Sequence, residues 1–560
     1  MKKIILMLCI TLFTGMVKAT PYFVDAANGV DTNDGLSWAT AVKTIGAAEI
    51  LAANNQPNDI YIKGSFSQSG AWTMTANNYY GSCFGTESKP TDRQMNDNDG
   101  NGIIEPWEFL YPTVFTSGNN ATAINGSAAI LDGFTITHTG TRDNAIFTTL
   151  ISPAGSTVQN CVFTGSNISY TNMAQNNGGC LIKTLGTFKN NLVEKNNVSV
   201  TYGATDIKIA PILEVPSPTS SVIISGCIFR NNKVTISNTG GTAVTNLKGV
   251  ILNVTANSVT SSVSISDCIV HNNEAIYTGG GSNLTASRAS IAGSLNFSGS
   301  LTSDVYTNCL FANNKTTNMV SCMHVFQNTA VVHKLYNNAF WNNQNIVSST
   351  STTTGVGISS SSSQIAATVI SNNYMDVAAA GTWGTACTYT NNQTNLSKSN
   401  TGANAPIFKS PPMNGVNNLI GSFQTIGAEL TSINQSDWRL SSNTSYLYQK
   451  GAATSITGIL KDKANNDFVA VNPSVGAYEY DASITTYINI VDNLSKLFSM
   501  NSKGLISNSE GQVQIISFTG KTLHSIEVTE GQFIPLVQGA YILRMTTNKG
   551  VFTQKIMFKL

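Results

Sequence analysis

The sequence predicts an all-β protein whose main part is a parallel β-helix, because three features recur along it. A short phrase returns down the chain of 560 residues, as NCVFTGSN at 160–167, GCIFRNN at 226–232, DCIVHNN at 267–273, NCLFANN at 308–314 and NAFWNN at 338–343. Runs of alternating β-branched residues, such as SVIIS at 221–225, precede several phrases, and Asn-Asn pairs end most of them. A unit of variable length that returns to one structural position is typical of a solenoid.

The spacing of the phrase predicts which side chains stack. Counted from Cys161, the phrase returns after 66, 41, 41 and 30 residues, at Cys227, Cys268, Cys309 and Ala339. Residues two apart in a strand point to the same side, so stacked coils should build interior columns of Cys and of Phe or Val. Asn tolerates the left-handed conformation, and its amide can bond to the same amide in the next coil. We therefore expect the Asn-Asn pairs in turns, with ladders between coils.

These patterns resemble the right-handed parallel β-helix proteins of the pectate-lyase-like superfold over roughly residues 21–480. The opening PYFVDAANGVDTNDGLSWATAVKTIGAAEILAA at 21–53 is similar to the entry of many bacterial members, with a strand, a Gly/Asp turn and a capping helix. Within 40–53, apolar residues at three-to-four spacing predict an amphipathic helix that plugs the open end of the solenoid. DWRL at 437–440 and VGAYEY at 475–480 resemble the family's closing motifs.

The N-terminus predicts export. Lys2 and Lys3 precede an apolar stretch that is followed by Val17-Lys18-Ala19, which suits cleavage of a signal peptide spanning residues 1–19. No later stretch reaches the roughly 18 apolar residues that a transmembrane helix needs. We therefore expect the mature protein outside the cytoplasm, without a transmembrane segment.

The C-terminal residues predict a small Ig-like β-sandwich at 489–560, joined by a linker at 481–488 to the β-helix at 20–480. This part resembles the C-terminal sorting domain of the type IX secretion system of the Bacteroidota. The matching positions are Phe518, Thr519, Gly520, Lys521, Gly539, Ala540, Tyr541, Ile542, Leu543, Arg544, Lys555 and Ile556. The resemblance implies passage through the periplasm to the outer-membrane surface or the medium, with the type IX machinery as partner.

Cysteine usage favours buried thiols over disulfides. Of nine cysteines, Cys9 lies in the signal peptide, and the remaining even number in an exported chain ordinarily suggests disulfides. However, coils stack about 4.8 Å apart, whereas a disulfide needs Cβ atoms about 3.8 Å apart. We therefore expect the phrase cysteines to form a column of free thiols. The sequence leaves open the state of Cys83, Cys180, Cys322 and Cys387.

Residues 97–108 predict a calcium site. They read DNDGNGIIEPWE, a full match to the acidic loop D-x-[DN]-x-[DN]-G-x5-E. Ca²⁺ takes a shell of oxygen ligands at alternate loop positions, with glycine at the sharp turn. The predicted ligands are Asp97, Asp99, Asn101, the carbonyl of Ile103, Glu105 through a water, and Glu108 as a bidentate carboxylate.

The position of this loop suggests a structural role for one Ca²⁺ ion. It falls between a strand region at 59–66 and another at 128–136, so we expect it to order an insertion spanning 67–127. The sequence shows no second loop of this kind, and sensors of this type work as pairs. The alternative reading is an acidic surface turn without metal.

The sequence names no substrate, and two classes of function stay open. The favoured one is a monomeric secreted or surface-displayed protein whose flank binds glycans or components of host or neighbouring cells. The alternative is a polysaccharide lyase acting on acidic polysaccharide, which needs a cation or metal and a base for the α-proton. The candidates for such a role are His138, Arg142, Asp143, Arg288 and His324. A net charge of +1 gives no electrostatic case for nucleic acid.

Overall fold

The computed structural model describes the following residues of the chain: 19–54, 56–118, 122–143, 148–173, 180–202, 212–216, 220–239, 249–256, 262–279, 290–296, 303–317, 321–326, 332–346, 358–360, 369–371, 374–375, 388–390, 396–397, 399–412, 423–424, 428–453, 460–464, 466–481, 498–501, 504–508, 510–517, 522–535, 539–547 and 550–558. The predicted signal peptide, apart from Ala19, lies outside these residues. So do Cys387, Arg288 and the predicted sorting positions 518–521.

The chain divides into two compact units, residues 1–480 and 481–560. The first unit is a parallel β-helix, which confirms the predicted fold class. One complete coil shows its plan, with strands Val222–Ser225, Ile228–Arg230, Lys233–Asn238 and Gly249–Ala256 in sequence. Each strand pairs in parallel with its counterpart one coil later. The backbone hydrogen bonds of each coil are therefore satisfied by its neighbours.

The strands stack in three parallel sheets. The first sheet contains Pro21–Asp25, Asp59–Lys63, Asn78–Tyr80, Ile130–Asp132, Thr157–Gln159, Thr187–Lys189, Val222–Ser225, Ser262–Ser266, Ser303–Thr307, Val332–Tyr336, Val369–Ser371 and Thr388–Thr390. The third contains Trp72–Met74, Thr122–Gly126, Thr148–Ser152, Ile182–Thr184, Leu213–Pro216, Gly249–Ala256, Ser290–Asn296, Ser321–Phe326 and Ile358–Ser360.

The second sheet divides into two arms at its longest parallel strand, Phe134–Asp143, which follows Ser65–Gln68 and Thr113–Gly118. The first arm contains Val162–Thr164, Leu192–Glu194, Ile228–Arg230, Ile269–His271, Leu310–Ala312, Ala339–Trp341 and Tyr374–Met375. The second arm contains Asn167–Met173, Asn197–Tyr202, Lys233–Asn238, Glu274–Gly279, Lys315–Thr317 and Gln344–Ile346. The recurring phrase forms the first arm and the two bends that flank it.

The bend between the two arms uses the Asn-Asn pairs as predicted. The first residue of each pair adopts the left-handed conformation, with φ of 51° at Asn231, 53° at Asn272, 53° at Asn313 and 50° at Asn342. The second residue is buried and faces its counterparts in the adjacent coils. The two asparagines of a pair therefore have different roles. The first sets the backbone turn, and the second forms hydrogen bonds between coils.

The second asparagines form a continuous amide ladder. Asn273 Oδ1 accepts from the backbone N–H of Asn232 at 3.0 Å and from Asn232 Nδ2 at 2.9 Å. Asn273 Nδ2 donates to the carbonyl of Phe229 at 3.0 Å and to Asn314 Oδ1 at 3.0 Å. All four hydrogen-bonding valences of this amide are used. The same pattern extends from Asn196 to Asn343, which confirms the predicted ladder.

The structure corrects the predicted spacing of the coils. The 66-residue step hides a complete turn at 190–196, which pairs with Val162–Thr164 on one side and Ile228–Arg230 on the other. At the far end Ala339 pairs with Leu310, so Asn338, not Ala339, is the counterpart of Cys309. Both errors arise because asparagine replaces cysteine in these two coils, as Asn191 and Asn338. The Oδ1 of each asparagine accepts a hydrogen bond from the backbone N–H of the cysteine one coil earlier.

The phrase cysteines are buried free thiols, as predicted. Cys161, Cys227, Cys268 and Cys309 are fully buried and unbridged. Each Sγ donates to the backbone carbonyl two residues earlier, over 3.1 to 3.3 Å. Burial raises the pKa of Cys161 to about 12 and that of Cys227 and Cys309 well above the ordinary value. Burial therefore suppresses thiolate formation at Cys161, Cys227 and Cys309. Cys83 and Cys180 are also buried and form no disulfide.

The predicted N-terminal helix is present but shorter than 40–53. A single 3-10 turn, Trp38–Thr40, precedes the helix α1, Ile45–Leu51. The Thr44 side chain accepts from the N–H of Ala47 and thereby caps the helix. Its apolar face joins the solenoid core through Ile45, Ala48 and Ala52.

The insertion is also narrower than predicted. Trp72–Met74 and Asn78–Tyr80 belong to the third and first sheets, and Thr113–Gly118 pairs with Ser65–Gln68 in the second. The excursion from the coils is therefore 81–112, with one 3-10 turn at Pro90–Asp92. The short strands on either side escaped the sequence analysis because each contributes only three to six residues.

A second apolar core lies outside the solenoid, against the first arm of the second sheet. Residues 396–480 return over outward-facing side chains of that arm, which include Leu310 and Trp341. Trp438 packs edge-on against His271 at 5.5 Å and against Trp341 at 5.9 Å between ring centroids. Burial lowers the pKa of His271 to about 3, so it packs here as a neutral ring.

The elements of this returning segment are few. The helix α2 spans Ala428–Asn434, and strands Phe408–Ser410 and Asp437–Leu440 pair antiparallel. Both sequence motifs expected to close the solenoid, at 437–440 and 475–480, pack in this outer core. They therefore lie along the flank of the coils.

The second unit consists of two antiparallel sheets. One contains Phe498–Asn501, Gly504–Ser507 and Phe533–Pro535; the other contains Gly511–Ser517, Thr522–Val528, Gly539–Thr547 and Gly550–Phe558. Side chains of both sheets share one apolar cluster, among them Leu505, Ile534, Val513 and Leu543. In the described part of the whole chain, no helix has the length and apolar character to cross a membrane.

The ladder predicts a position-specific stability effect. Asn273→Ala removes an amide whose four valences are filled and leaves partners in both adjacent coils unsatisfied inside the wall. We expect a loss of about 2–5 kcal/mol in the free energy of unfolding, measured by urea titration. Asn197→Ala is the matched control, because Asn197 donates to Asn167 Oδ1 at 3.2 Å on the exposed side. Its cost should stay within about 0.5 kcal/mol; equal losses in both variants contradict the ladder's role.

Candidate functional site

The acidic loop projects from the excursion 81–112 and is closed at its base. Met95 and Phe109 form an antiparallel bridge. The N–H of Asn96 donates to the carbonyl of Glu108 at 2.9 Å, and the N–H of Leu110 donates to that of Gln94 at 2.9 Å. The two ends of the loop are therefore held together by backbone hydrogen bonds.

The excursion is anchored to the solenoid by a separate contact. Arg93 is buried, and its guanidinium donates to Asp132 Oδ1 at 2.9 Å and to the carbonyl of Gly81 at 3.0 Å. The Phe109 ring lies 4.5 Å from the centre of that guanidinium. Most of the excursion is thus tied down without the acidic loop.

Three predicted ligands converge in space. Carboxylate oxygens of Asp97, Asp99 and Glu108 all lie within 4.8 Å of one another. Calcium binds oxygens at 2.3–2.6 Å, so two oxygens on one ion are at most about 5 Å apart. The separation of the three carboxylates therefore fits a shared Ca²⁺.

Asp97 organises the turn that brings them together. Its Oδ1 accepts from the N–H groups of Gly100 and Asn101, at 2.7 and 3.1 Å, and its Oδ2 from that of Gly102 at 2.9 Å. Gly102 has φ of +82° with open space around it. The glycine is needed for its backbone conformation, as the sequence motif implies.

The remaining predicted ligands are placed differently. Asn101 Nδ2 donates to Glu105 Oε1 at 2.8 Å, and Asn101 Oδ1 accepts from the N–H of Ile103 at 2.6 Å. Glu108 accepts from the N–H groups of Asn98 and Glu105, both at 2.9 Å. The loop backbone thus holds the terminal carboxylate in place, while Asn101 and Glu105 bond to each other.

The electrostatics of the loop favour a cation. Burial and the neighbouring Glu108 raise the pKa of Glu105 to about 9. Burial also raises the pKa of Asp99, although Arg230 opposes that shift. Crowded carboxylates resist ionisation because like charges repel in a partly desolvated site. A divalent cation among them removes that repulsion.

Arg230 joins the acidic loop to the solenoid and to the returning segment. Its two terminal nitrogens lie 3.3 Å from Asp99 Oδ2, and its Nε donates to Glu194 Oε2 at 2.8 Å. The same guanidinium donates to the carbonyl of Asn434 at 2.7 Å. Gln435 adds a hydrogen bond from Nε2 to the carbonyl of Asp99 at 3.0 Å. Three distant parts of the chain therefore meet at one buried cation.

A groove of about 620 Å³ opens where the loop faces the returning segment. One wall is formed by the exit of the acidic loop, the other by residues near Trp438 and Tyr478, and the floor by a column of solenoid turns. The lining residues are Ile103, Glu105, Pro106, Trp107, Asn190, Ser225, Gly226, Ile228, Asp267, Ile269, Asn308, Ser436, Asp437, Trp438, Arg439, Lys461, Asp462, Lys463, Ala464 and Tyr478.

The floor depends on left-handed turns that precede the cysteine column. Asn190, Asp267 and Asn308 have φ between 52° and 57°. Gly226 shares this conformation, and a Cβ there would come within 2.4 Å of Asn190 Oδ1. Glycine is therefore required at this point for both conformation and space.

The charged residues of the groove are engaged with one another. Arg439 makes a bidentate pair with Asp437, with Nε at 2.9 Å from Oδ1 and Nη2 at 2.5 Å from Oδ2. Lys463 Nζ donates to the carbonyl of Asp267 at 2.5 Å. Burial raises the pKa of both Asp267 and Asp462. The site thus contains carboxyl groups in a partly desolvated setting.

Three buried polar atoms of the lining residues have no hydrogen-bond partner. They are Glu105 Oε2, Asn308 Oδ1 and Trp438 Nε1. Buried polar groups are almost always paired. Buried polar atoms without a partner also occur elsewhere in the described part of the chain, such as Asn313 Nδ2 and Asn337 Oδ1, so these three add polar groups to the groove without singling it out.

The structure does not assemble the suggested catalytic cluster. His138 is fully buried inside the coils, where its Nδ1 lies 3.2 Å from Thr149 Oγ1. It lies within the strand Phe134–Asp143, whose backbone continues as far as the other two candidates, Arg142 and Asp143. Arg142 and Asp143 pair in register with Tyr170 and Thr171. His324 lies in the strand Ser321–Phe326, and the placement of its side chain is outside the described part.

The sequence predicts the acidic loop but not the groove. Its lining comes from segments as distant as 103 and 478. DWRL at 437–440 was noticed only as a closing motif, although Asp437, Trp438 and Arg439 all line the groove. No local pattern connects these positions.

A comparison with protein-family models finds no match for this chain, and a search of curated protein sequences finds no relative. The interpretation of the site therefore rests on its own geometry and chemistry.

Proposed function

We propose that this protein is an exported β-helix, secreted or displayed on the cell surface, whose outer flank binds glycans. The observation that carries the proposal is the groove between the acidic loop and the returning segment. It combines a volume suited to a small ligand with aromatic residues and with polar atoms that have no hydrogen-bond partner in the protein, which is typical of ligand sites. Its position on the flank leaves the solenoid core free to act as a rigid support.

Binding is better supported than catalysis. A lyase of acidic polysaccharide needs a base beside a centre that neutralises a carboxylate. His138, a candidate for that base, is buried inside the solenoid. Within the described lining of the groove, the cations already contact carboxylate or carbonyl groups.

We also propose that the acidic loop binds one Ca²⁺ through Asp97, Asp99 and Glu108, with Asn101, Glu105 and the carbonyl of Ile103 completing the shell. The ion would supply positive charge that neutralises the clustered carboxylates. Because Arg93 already anchors the excursion, the effect should be confined to 97–108, not the whole of 67–127. Ordering this loop also orders the groove wall that carries Trp107.

The C-terminal unit is proposed to be a sorting domain for the type IX secretion machinery. Its support is the order of strands that carry the matched positions, since Gly539–Thr547 contains 539–544 and Gly550–Phe558 contains Lys555 and Ile556. These two strands pair antiparallel over nine positions. With a cleaved signal at 1–19, this route leads through the periplasm to the cell surface.

Glycan binding is the direct test of the proposed function. The chain lacking residues 1–19, applied to a glycan array with millimolar calcium, should bind a defined subset of polysaccharides without degrading them. An activity screen on acidic polysaccharides serves as the counter-test. Absence of binding to every glycan, or release of unsaturated products, refutes the binding assignment.

Calcium should protect the acidic loop. Single extracellular loops bind calcium with dissociation constants of about 10⁻⁴ to 10⁻³ M, and Asp97→Asn should weaken binding at least about tenfold because it removes a charged ligand that also organises the turn. Calorimetry measures the binding, and limited proteolysis with calcium or chelator measures the protection. Asp92→Asn is the matched control, since this exposed carboxylate lies outside the loop and pairs with Lys89. No calcium uptake, or the same loss in both variants, contradicts the site.

Removal of the C-terminal unit should block export without unfolding the solenoid. In a host with an active type IX system, deletion of residues 486–560 is expected to leave the β-helix in the periplasm, because residues 1–480 form their own compact unit. Cell fractionation locates the protein, and resistance to proteolysis reports its folding. Surface display of the truncated chain at the level of the full chain disproves the sorting role.

A further inference from the structure

We propose that an exposed pair of aromatic rings, Phe84 and Tyr111, forms a separate contact site for one pyranose ring of a glycan. The inference rests on the proposed glycan-binding function and adds a place of contact and the chemical class that it takes. The pair lies at the neck of the excursion 81–112, and neither residue belongs to the lining of the groove. The proposal follows from the exposure of the rings, the rigidity of their supports and the ammonium group beside them.

Both rings are exposed to solvent and contact each other. Phe84 is 43% exposed and Tyr111 is 37% exposed. Their ring centroids lie 4.5 Å apart, with the ring planes tilted by 31°. Leu110, next to Tyr111 in the chain, is exposed as well. Single exposed apolar side chains are normal, whereas exposed apolar side chains in contact with one another are typical of interaction sites.

The turn that carries Phe84 is rigid. The buried carboxylate of Glu87 accepts hydrogen bonds from three backbone N–H groups. They belong to Phe84, Gly85 and Thr86, at 2.7, 2.9 and 2.9 Å. Trp38 Nε1 donates to the carbonyl of Glu87 at 3.0 Å and ties this turn to the start of the solenoid. A ring on a fixed backbone has little conformational freedom to lose on binding, so it is preorganised.

Hydrogen bonds at the neck bring Tyr111 to Phe84. The N–H of Ser82 donates to Thr113 Oγ1 at 2.8 Å, and the N–H of Thr113 donates to Ser82 Oγ at 3.2 Å. Thr113 Oγ1 in turn donates to the carbonyl of Ile62 in the solenoid wall at 2.9 Å. None of these bonds involves the acidic loop at 97–108. The ring pair should therefore keep its geometry with or without calcium.

The size of the pair favours a sugar over a protein as its ligand. A Phe or Tyr side chain buries about 150–250 Å² when it is fully covered, so the exposed parts of the two rings offer on the order of 150 Å². A stable protein interface takes roughly 800 Å² from each partner. The face of a single six-membered sugar ring matches the smaller area.

The polarity of the site also suits a sugar. Aromatic faces carry negative partial charge, which attracts the C–H groups on the apolar face of a pyranose. The part-exposed Lys63 places its Nζ 6.0 Å from the centroid of the Phe84 ring. An ammonium has three donors, and Asp25 Oδ2 accepts one of them at 3.2 Å. The other donors can reach a hydroxyl or a carboxylate on the sugar, so the site takes neutral and acidic pyranoses.

The discriminating variants are Phe84→Ala and Tyr111→Ala. Neither ring belongs to an apolar core cluster of the described residues, so the melting temperature should change little. We expect each variant to bind glycan about fivefold more weakly, the value of roughly one aromatic contact. Phe84→Tyr keeps the aromatic surface and should retain binding. The matched control is Phe533→Ala, because Phe533 in the C-terminal unit is equally exposed, at 44%.

A pair of lysine variants tests the polar edge of the site while keeping both rings. Lys63→Gln should weaken binding about threefold, because it replaces a charged donor by a neutral one. Its carboxylate partner Asp25 still accepts from the N–H groups of Ala27 and Asn28. Lys89→Gln is the matched control, since this exposed lysine lies in the same excursion and pairs with Asp92.

Calorimetry on the chain lacking residues 1–19 measures all of these variants with hexasaccharides of glucose, mannose and xylose and with oligogalacturonate. Titrations with calcium and with chelator should give the same differences between variants. Equal binding by Phe84→Ala, Tyr111→Ala and the unchanged chain overturns the inference and leaves the proposed glycan binding to the groove. The same loss in Phe533→Ala also overturns it, because exposed rings would then act by unspecific adsorption.

Two further outcomes concern the class of ligand. If the unchanged chain binds none of these probes and nothing on a glycan array, the proposed function and this inference fall together. Adsorption to phosphatidylglycerol vesicles that depends on Phe84, in the absence of any glycan binding that depends on it, assigns the pair to lipid and overturns the inference alone.

Discussion

The structure depends on keeping the buried turns of the solenoid fully hydrogen-bonded. Each coil bends sharply between the two arms of the second sheet, where backbone groups are shielded from water. Unpaired polar groups there cost the full desolvation penalty. The amide of Asn273 accepts two hydrogen bonds from Asn232 and donates to Phe229 and Asn314, and the same ladder joins the described bends from Asn196 to Asn343. This repeat lets coils of unequal length stack in register.

Because the turns fix the register of the coils, side chains on the outer face of the second sheet lie at equivalent positions on successive coils. Glu194, Arg230 and His271 occupy equivalent positions on successive coils. The returning segment covers these side chains with a second apolar core around Trp438 and Trp341. Arg230 then connects this layer to the acidic loop, 131 residues earlier in the chain, through Asp99. A buried cation with anions on two sides avoids the penalty of an unpaired charge.

The candidate site follows from this layering. Neither the acidic loop nor the returning segment forms a groove alone. They enclose one because both dock on the same stretch of coils, whose left-handed turns at Asp267 and Asn308 make the floor. Three polar atoms that the fold leaves unpaired, Glu105 Oε2, Asn308 Oδ1 and Trp438 Nε1, belong to residues of its lining.

The sequence by itself determined the repeating architecture and the local chemistry of the acidic loop. The Asn-Asn pairs and the spacing of Asp97, Asp99 and Glu108 are local patterns that span a few residues, so they can be recognised in the sequence. Only the tertiary structure decided the rest. The coil at 190–196 was hidden because Asn191 occupies a cysteine position. His138 is interior because it continues the inward alternation of Phe134 and Ile136 along one strand. The groove could not be predicted from the sequence, because its walls lie more than 300 residues apart in the chain. They come together only by packing on the same outer face of the solenoid.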